Sequence, residues 1–578
     1  MRNILCAMKK LSMILLAIIT LFFIVKMEAL YVHAYDDLTA KVDELFREWD
    51  RNDSPGAALG IIRDGRIIYK RGYGMANLEH NIPIKPDSVF RIASISKQFF
   101  AAGIIILEQQ GKISLDDDIR KYLPELHDYG HTVTIRHLIH HTGGIRDYLS
   151  LNYLAGRRIG KRKNDYFSMK DHMELMARQK GLNFKPGEKY LYSNSGYVLL
   201  AEIIARVSGS SEADFLKKYI FDPLTMKNTL VHTDCDQIVK NRAIGYSPMP
   251  DGGYKIDITR DQTTGHDAVF TSVEDMFLWD QNFYDNKLGI DKEKFIKALL
   301  TPGRLNNGDK ITYALGLDIG EYRGLRTIRH DGAWAGYQAE YIQYPDQKFS
   351  IILFSNVSTF NPSNRARKIA DIYLADKLAK KEEKKPAPEK KKLKEKQLLA
   401  CEGTYWLETS KLLRRIVLEK KKLYYVRSKT NRTELAPITA TEFIMLGTPQ
   451  EVIVRFSDQE KGKYTKVTVI IAGEDSIPGK RIEPFEPTEA DLKEYAGTYY
   501  SEELDAKYRI MVRDGKLYIK FRNFPKDPFN PLIRDAFSFS EGFIRLNFQR
   551  NEQGRISGFL VNTGRVVDLR FEKLEAGS

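Results

Sequence analysis

Ser94 and Lys97 form the single S-x-x-K in the chain, inside the run Arg91-Ile92-Ala93-Ser94-Ile95-Ser96-Lys97. Three residues apart on a helix, the two side chains share one face, one turn from each other. An amine there can take the proton of the hydroxyl, and a serine is a weak nucleophile until a neighbour does so. The apolar run Phe99 to Leu107 predicts the helix, with Ser94 at its N-terminus, where free N–H groups and the dipole favour developing negative charge. Taken alone, the pattern also fits a surface Ser and Lys at helical spacing.

Two further triplets could complete such a site. Tyr192-Ser193-Asn194 enters the long apolar run Val198 to Val207; its phenol could share proton transfer with Lys97, and its amide could hold a substrate carbonyl. His330-Asp331-Gly332 follows a strand-like run and precedes Ala333-Trp334-Ala335-Gly336. A neutral histidine there could hydrogen-bond the reacting groups, and the glycine would let a substrate backbone come close. His141-Thr142-Gly143 is also H-x-G, but it precedes the Y-x-N triplet at a helix end, so His330 is preferred.

The elements that must position these residues are legible as patterns. Ala57 to Ile62 and Ile67 to Tyr73 read as strands joined by Asp64-Gly65, a hairpin signal. Tyr313 to Ile319, Arg326 to His330, Gln338 to Tyr344 and Phe349 to Phe354 read as consecutive antiparallel strands, with a closing helix over Ile369 to Leu378. Strands at both ends with helices between them predict one sheet assembled from the two ends of this region. Thr134 to His141 reads as a buried helix start, and Val273 to Phe283 as another helix.

The 578 residues exceed one ordinary domain and suggest two to four. Residues 1–34 read as an export signal: Lys9 and Lys10 precede an uncharged run from Leu11 to Val25, and Val32-His33-Ala34 offers small residues for cleavage. Left uncleaved, the segment would be an N-terminal anchor and the one route to a membrane. The expected location is exported, periplasmic or extracellular. Cys235 and Cys401 lie too far apart in sequence to indicate a disulfide framework.

The net charge of +14 raises the question of nucleic acid. Residues 377–397 alone carry 10 Lys and 4 Glu, so this one segment accounts for +6 and reads as a solvated linker. No nucleic-acid module motif is present. After the linker the pattern changes to short alternating strands. Cys401-Glu402-Gly403-Thr404-Tyr405 matches Tyr495-Ala496-Gly497-Thr498-Tyr499, which predicts an internal duplication in which each copy is a small antiparallel β-barrel or sandwich. Neither copy shows a catalytic constellation, so a spacer or lid role is expected. The domains are therefore 35–376, a linker at 377–397, and barrels at 398–485 and 486–578.

The three motifs in this order resemble the penicillin-recognising serine hydrolases, among them class C β-lactamases, D-Ala-D-Ala carboxypeptidases, D-aminopeptidases and esterases. The resemblance spans about residues 38 to 376 and includes Ser-Pro-Gly-Ala-Ala at 54–58 and Ile-Arg-His-Leu-Ile-His-His-Thr at 135–142. It implies a multidomain α+β fold, with an antiparallel sheet flanked by helices and a helical subdomain, followed by the two barrels. It also implies Ser94 as nucleophile, Lys97 and Tyr192 as the base system, and Asn194, His330 and Gly332 as substrate contacts. The backbone N–H groups of Ser94 and Ala333 would form the oxyanion hole. No metal or cofactor is implied; the partner is a small peptide, ester or β-lactam. Where many β-lactamases carry Lys-Thr-Gly, this chain has His330-Asp331-Gly332, which removes a cation for a substrate carboxylate. That departure favours D-peptidase or esterase activity, with a β-lactamase or a catalytically silent peptidoglycan sensor as alternatives.

Overall fold

The computed structural model describes residues 37–157, 166–379, 393–408, 412–427, 431–448, 451–471, 476–522, 527–539 and 543–575. The expected export signal and most of the linker lie outside these residues. Among those described, no helix is long and apolar enough to cross a membrane.

The first part is built on one antiparallel sheet. Its strands are β1 (Ala57–Arg63), β2 (Arg66–Tyr73), β3 (Asp318–Tyr322), β4 (Leu325–Trp334), β5 (Tyr337–Tyr344) and β6 (Phe349–Ser355). They lie in the order β3-β4-β5-β6-β1-β2, so the two ends of the region meet where β1 pairs with β6, Ala57 opposite Ser355. The β1–β2 turn is closed by Asp64 and Gly65, both at positive φ (50° and 75°), as a right-twisted hairpin requires.

Strand β1 is buried on both faces, and its two-residue period sorts the layers. Ala58 and Ile62 face the helical core with Val273, Met276 and Trp279. Ala57, Leu59 and Ile61 face Val42, Phe46, Ile369 and Tyr373. Gly60 lies on the first face because a Cβ there would sit 2.5 Å from Val273 Cγ1.

The helices that matter for the site are α1 (Lys97–Gln109), α2 (Ile135–Ile139), α3 (Tyr148–Leu154), α4 (Asn194–Ser208), α5 (Val273–Asn282) and α6 (Pro362–Tyr373). Helix α6 starts at Pro362 and ends at Tyr373, earlier than the expected span, because Asn361 caps it and proline is tolerated in the first turn. Residues Tyr313 to Leu317 are not a strand. Gly316 turns at φ 71° against the backbone of α1, where a Cβ would lie 2.6 Å from Gln98 N.

Eight strands from Gly403–Leu407 to Ile477–Ile482 close into a barrel. Eight more, from Gly497–Ser501 to Leu569–Lys573, form a second sheet, a barrel left open among the described residues between its end strands, Lys516–Lys520 and Asn530–Ile533. The duplication is visible in one repeated bond. Tyr405 donates to Cys401 O at 3.0 Å, and Tyr499 donates to Tyr495 O at 2.7 Å. Each tyrosine ties its first strand to the short helix before it. Cys235 and Cys401 are both free thiols.

The two barrels relate differently to the first part. The core of the first contains only its own residues. The core of the second takes in Leu151, Leu154, Ala155 and Leu175 from the helical region. Beside it, Arg146 and Glu503 form a buried ion pair at 2.6 Å. Glu503 also accepts from Lys180 N, and Arg146 donates to the carbonyls of Val567 and Asp568. Breaking a buried pair strands the remaining charge, at about 3–5 kcal/mol. Glu503→Gln is therefore expected to lower the unfolding midpoint of the full chain and to speed proteolytic release of the second barrel. An unchanged midpoint and digestion pattern would show that the pair does not hold the barrel down.

Candidate active site

A single 3-10 turn, Ala93–Ser96, leads into α1 and carries Ser94. Ala93 is held at φ 47°, a left-handed conformation that costs a non-glycine residue on the order of 1 kcal/mol or more and here turns the next side chain out of the chain's path. The turn is pinned on two sides. Val269 N donates to Ser96 Oγ, and Ile92 N donates to Val269 O. On the other side β4 presses on it: a Cβ at Gly332 would lie 2.2 Å from Ile92 O. One reason for glycine at this position is therefore the protein's own backbone, which leaves no room for a Cβ. That close approach holds β4 at Gly332 against Ile92 and Ala93 of the turn.

Lys97 is fully buried, and its ammonium position is fixed by three oxygens: Ser94 Oγ at 3.1 Å, Asn194 Oδ1 at 3.0 Å and His266 O at 3.1 Å. Burial pushes its pKa down to about 7, helped by Arg565 and opposed by Asp267, Asp147 and Asp331. Asn194 is the first residue of α4, and its oxygen is taken by Lys97, which leaves its NH2 as the free end of the amide. Its backbone N donates to Asp147 Oδ2 at 2.8 Å. Asp147 also caps α3 through Ser150 N, so one buried carboxylate fixes the ends of two helices.

Tyr192 lies just before α4, with Lys97 Nζ 4.9 Å from its ring centroid. Burial raises its pKa, so the phenol keeps its proton at neutral pH, although the adjacent Ser94 hydroxyl works in the opposite direction. His330 sits on β4, buried, 6.3 Å between ring centroids from Tyr192. Its Nδ1 donates to Asp331 O at 2.6 Å, so its Nε2 accepts from the Tyr313 hydroxyl at 3.0 Å. Burial and the nearby Lys97 push its pKa down to about 4, so it is a neutral hydrogen-bonding group. Asp331 points to the opposite face of the strand, exposed and paired with Arg329.

Beyond His266 and Asp147, three further residues at the site are not assigned to it from sequence. His141, set aside in favour of His330, lies 4.3 Å between ring centroids from Tyr192, and its Nδ1 accepts from Ser193 N. Tyr313, expected in a strand, lines the same aromatic wall at 4.6 Å from His141. Arg565 comes from the second barrel, with its guanidinium 5.0 Å from the Tyr192 ring centroid. Among the described residues, the cluster of metal-type donors Asp234, Cys235 and Asp236 shares no residue with this site.

An amine poised on a serine hydroxyl, with a phenol and an amide beside it, is equipped for acyl transfer. A family model for beta-lactamase matches residues 42–376, which span the sheet, the helices and every one of these side chains except Arg565. The chain belongs to the beta-lactamase family. Membership makes it a serine hydrolase of the penicillin-recognising type, a group acting on peptide and ester bonds. Among beta-lactamase-family relatives, penicillin-binding protein 4* of Bacillus subtilis (strain 168) is 30% identical over 407 residues, covering 67% of this chain and 87% of that one. A D-aminopeptidase of Gluconobacter oxydans (strain 621H) is 26% identical over 478 residues, 81% of this chain and 84% of its own. The second likeness is too long to be confined to the residues of the family model. The octameric penicillin-binding protein homologue from Pyrococcus abyssi shares the fold, with a TM-score of 0.52 and 24% identity over 78% of this chain and 100% of that one.

Proposed function

We propose that this protein is an exported hydrolase that cleaves amide or ester bonds in peptides containing D-amino acids, through an acyl-enzyme on Ser94. The observation that carries the reading is the contact between Lys97 Nζ and Ser94 Oγ at 3.1 Å, made by an amine whose pKa lies near neutrality. Neutral Lys97 takes the Ser94 proton as Oγ attacks the carbonyl carbon. Negative charge moves to the carbonyl oxygen, where the backbone N–H groups of Ser94 and Ala333 receive it. The leaving amine or alkoxide collects a proton from the Lys97–Tyr192 pair, and Tyr192 acts as a neutral phenol. Water then repeats the sequence to free the acid. Asn194 NH2 holds the substrate carbonyl, and neutral His330 with Gly332 forms the edge along which the substrate lies.

The D-amino-acid preference draws on the D-aminopeptidase likeness, which extends into the barrel region. It also draws on His330-Asp331-Gly332, whose histidine is neutral. The test is a matched profile of D-Ala-D-Ala peptides, D-aminoacyl amides, their L-counterparts, short p-nitrophenyl esters and a chromogenic cephalosporin. Turnover of esters together with a D over L preference of tenfold or more is the expected result. Equal rates on the two stereoisomers, or cleavage of the cephalosporin alone, would overturn it.

A further inference from the structure

The second barrel does more than sit beside the site. Its loop 563–568, between strands Ile556–Asn562 and Leu569–Lys573, is clamped onto the catalytic region by its backbone. Asp147 N and Asn183 Nδ2 both donate to Arg565 O, at 3.2 and 3.0 Å. Val567 N donates to Asn183 Oδ1 at 2.8 Å, and Arg146 holds the carbonyls of Val567 and Asp568. The loop is also closed on itself, with Thr563 bonded to Val566 in both directions. None of these bonds uses the Arg565 side chain, so the loop is fixed and the guanidinium is presented.

That guanidinium is poorly satisfied. It lies 5.0 Å from the Tyr192 ring centroid, and its ion-pair partner among the described residues is Asp147 Oδ2 at 3.9 Å, beyond hydrogen-bond length. Asp147 is already engaged: Oδ2 accepts from Asn194 N, and Oδ1 accepts from Ser150 N and Ser150 Oγ. The Arg565 side chain remains 41% exposed. A planar fork of five N–H donors in this state is built to take a carboxylate. The other basic groups around Tyr192 do not compete for one. His330 and His141 are held neutral by burial, and Lys97 is the base.

We propose that Arg565 is a specificity-determining residue that binds a carboxylate of the substrate, replacing from another domain the cation that the His330-Asp331-Gly332 strand lacks. Tyr192 is the spacer between Ser94 and Arg565. Lys97 Nζ, at 4.9 Å, and the Arg565 guanidinium, at 5.0 Å, both lie beside the Tyr192 ring centroid, so the carboxylate belongs close to the scissile carbonyl. The preferred substrates are therefore acidic at that position, such as a peptide ending in a free carboxylate. This inference rests on Ser94 being the nucleophile of an ester and amide hydrolase.

The test compares matched substrate pairs on the full chain: a D-Ala-D-Ala peptide acid against its C-terminal amide, and a succinyl against a butyryl p-nitrophenyl ester. The first pair places the carboxylate on the leaving group and the second on the acyl group. One pair or the other is expected to show a kcat/KM preference for the acid of about 10- to 100-fold, the worth of one charge-assisted hydrogen bond. Arg565→Ala should erase that ratio, Arg565→Lys should keep part of it, and Arg565→Glu should invert it in favour of the uncharged member. A ratio cancels any common loss of rate, and thermal melting of each variant reports folding separately. Ratios near one in the wild type for both pairs, or ratios unchanged by Arg565→Ala and Arg565→Glu, would overturn the assignment. Absence of any ester turnover by the wild type would instead sink the hydrolase reading beneath it.

Discussion

Ser94→Ala is expected to abolish labelling by a fluorophosphonate and to cut ester turnover by about 10⁴-fold or more, as loss of the nucleophile does in serine hydrolases. The geometry leaves no substitute. Ser96 Oγ, two residues on, is buried and accepts from Val269 N. Ser195 is buried too, accepting from Tyr148 N and donating to Arg146 O. Among the described residues, Ser94 is the serine that is half-buried and bonded to Lys97. Ser96→Ala supplies the contrast. It strands a buried amide, at about 1–3 kcal/mol of stability, and should lower the melting temperature while leaving the label on Ser94. Labelling that survives Ser94→Ala, or is lost only with Ser96, would move the nucleophile elsewhere.

Much of the catalytic region could be read from the chain because its signals are local. Asp64-Gly65 between two alternating runs specifies a hairpin, and the apolar run of β1 specifies a strand covered on both faces. The pairing of β1 with β6 followed from where strands lay in the order of elements. What escaped reading depends on contacts between distant residues. Tyr313 to Leu317 alternates like a strand, yet Gly316 must turn at positive φ to fit against α1, and that frees Tyr313 to reach His330. His141 was set aside on its order in the chain, whereas its place is fixed by Ser193 N and the Tyr192 ring. Gly332 is legible as a close approach, while the part played by Ile92 O in it depends on the packing of β4 against the turn. Arg565 had no local signal at all: an arginine in a barrel loop acquires meaning only when Asp147 and Asn183 hold that loop against Tyr192.

The same long-range placement sets the base. Lys97→Met should slow acylation by about 10³-fold, within the range of a lost general base, and Lys97→Arg should not rescue it, because a guanidinium keeps its proton. In the wild type, kcat/KM for a neutral ester should rise with pH and level off above about 7, where Lys97 loses its proton. At the ordinary lysine pKa of 10.5, Lys97 would be neutral in only about one molecule in 3,000 at pH 7. The burial that supplies the base also carries a stability cost with a defined sign. Between about pH 7 and 10.5 the unfolded chain holds a proton that the folded chain has released, so folding becomes more favourable as pH rises through that window. The penalty is full below about pH 7 and gone above 10.5, and in Lys97→Met this contribution vanishes. Subtracting the stability of Lys97→Met from that of the wild type across pH 6 to 10 should therefore give a rising curve. A flat difference, together with a pH–rate profile that climbs toward 10, would mean that Lys97 keeps its ordinary pKa and that Tyr192 or a water must be the base.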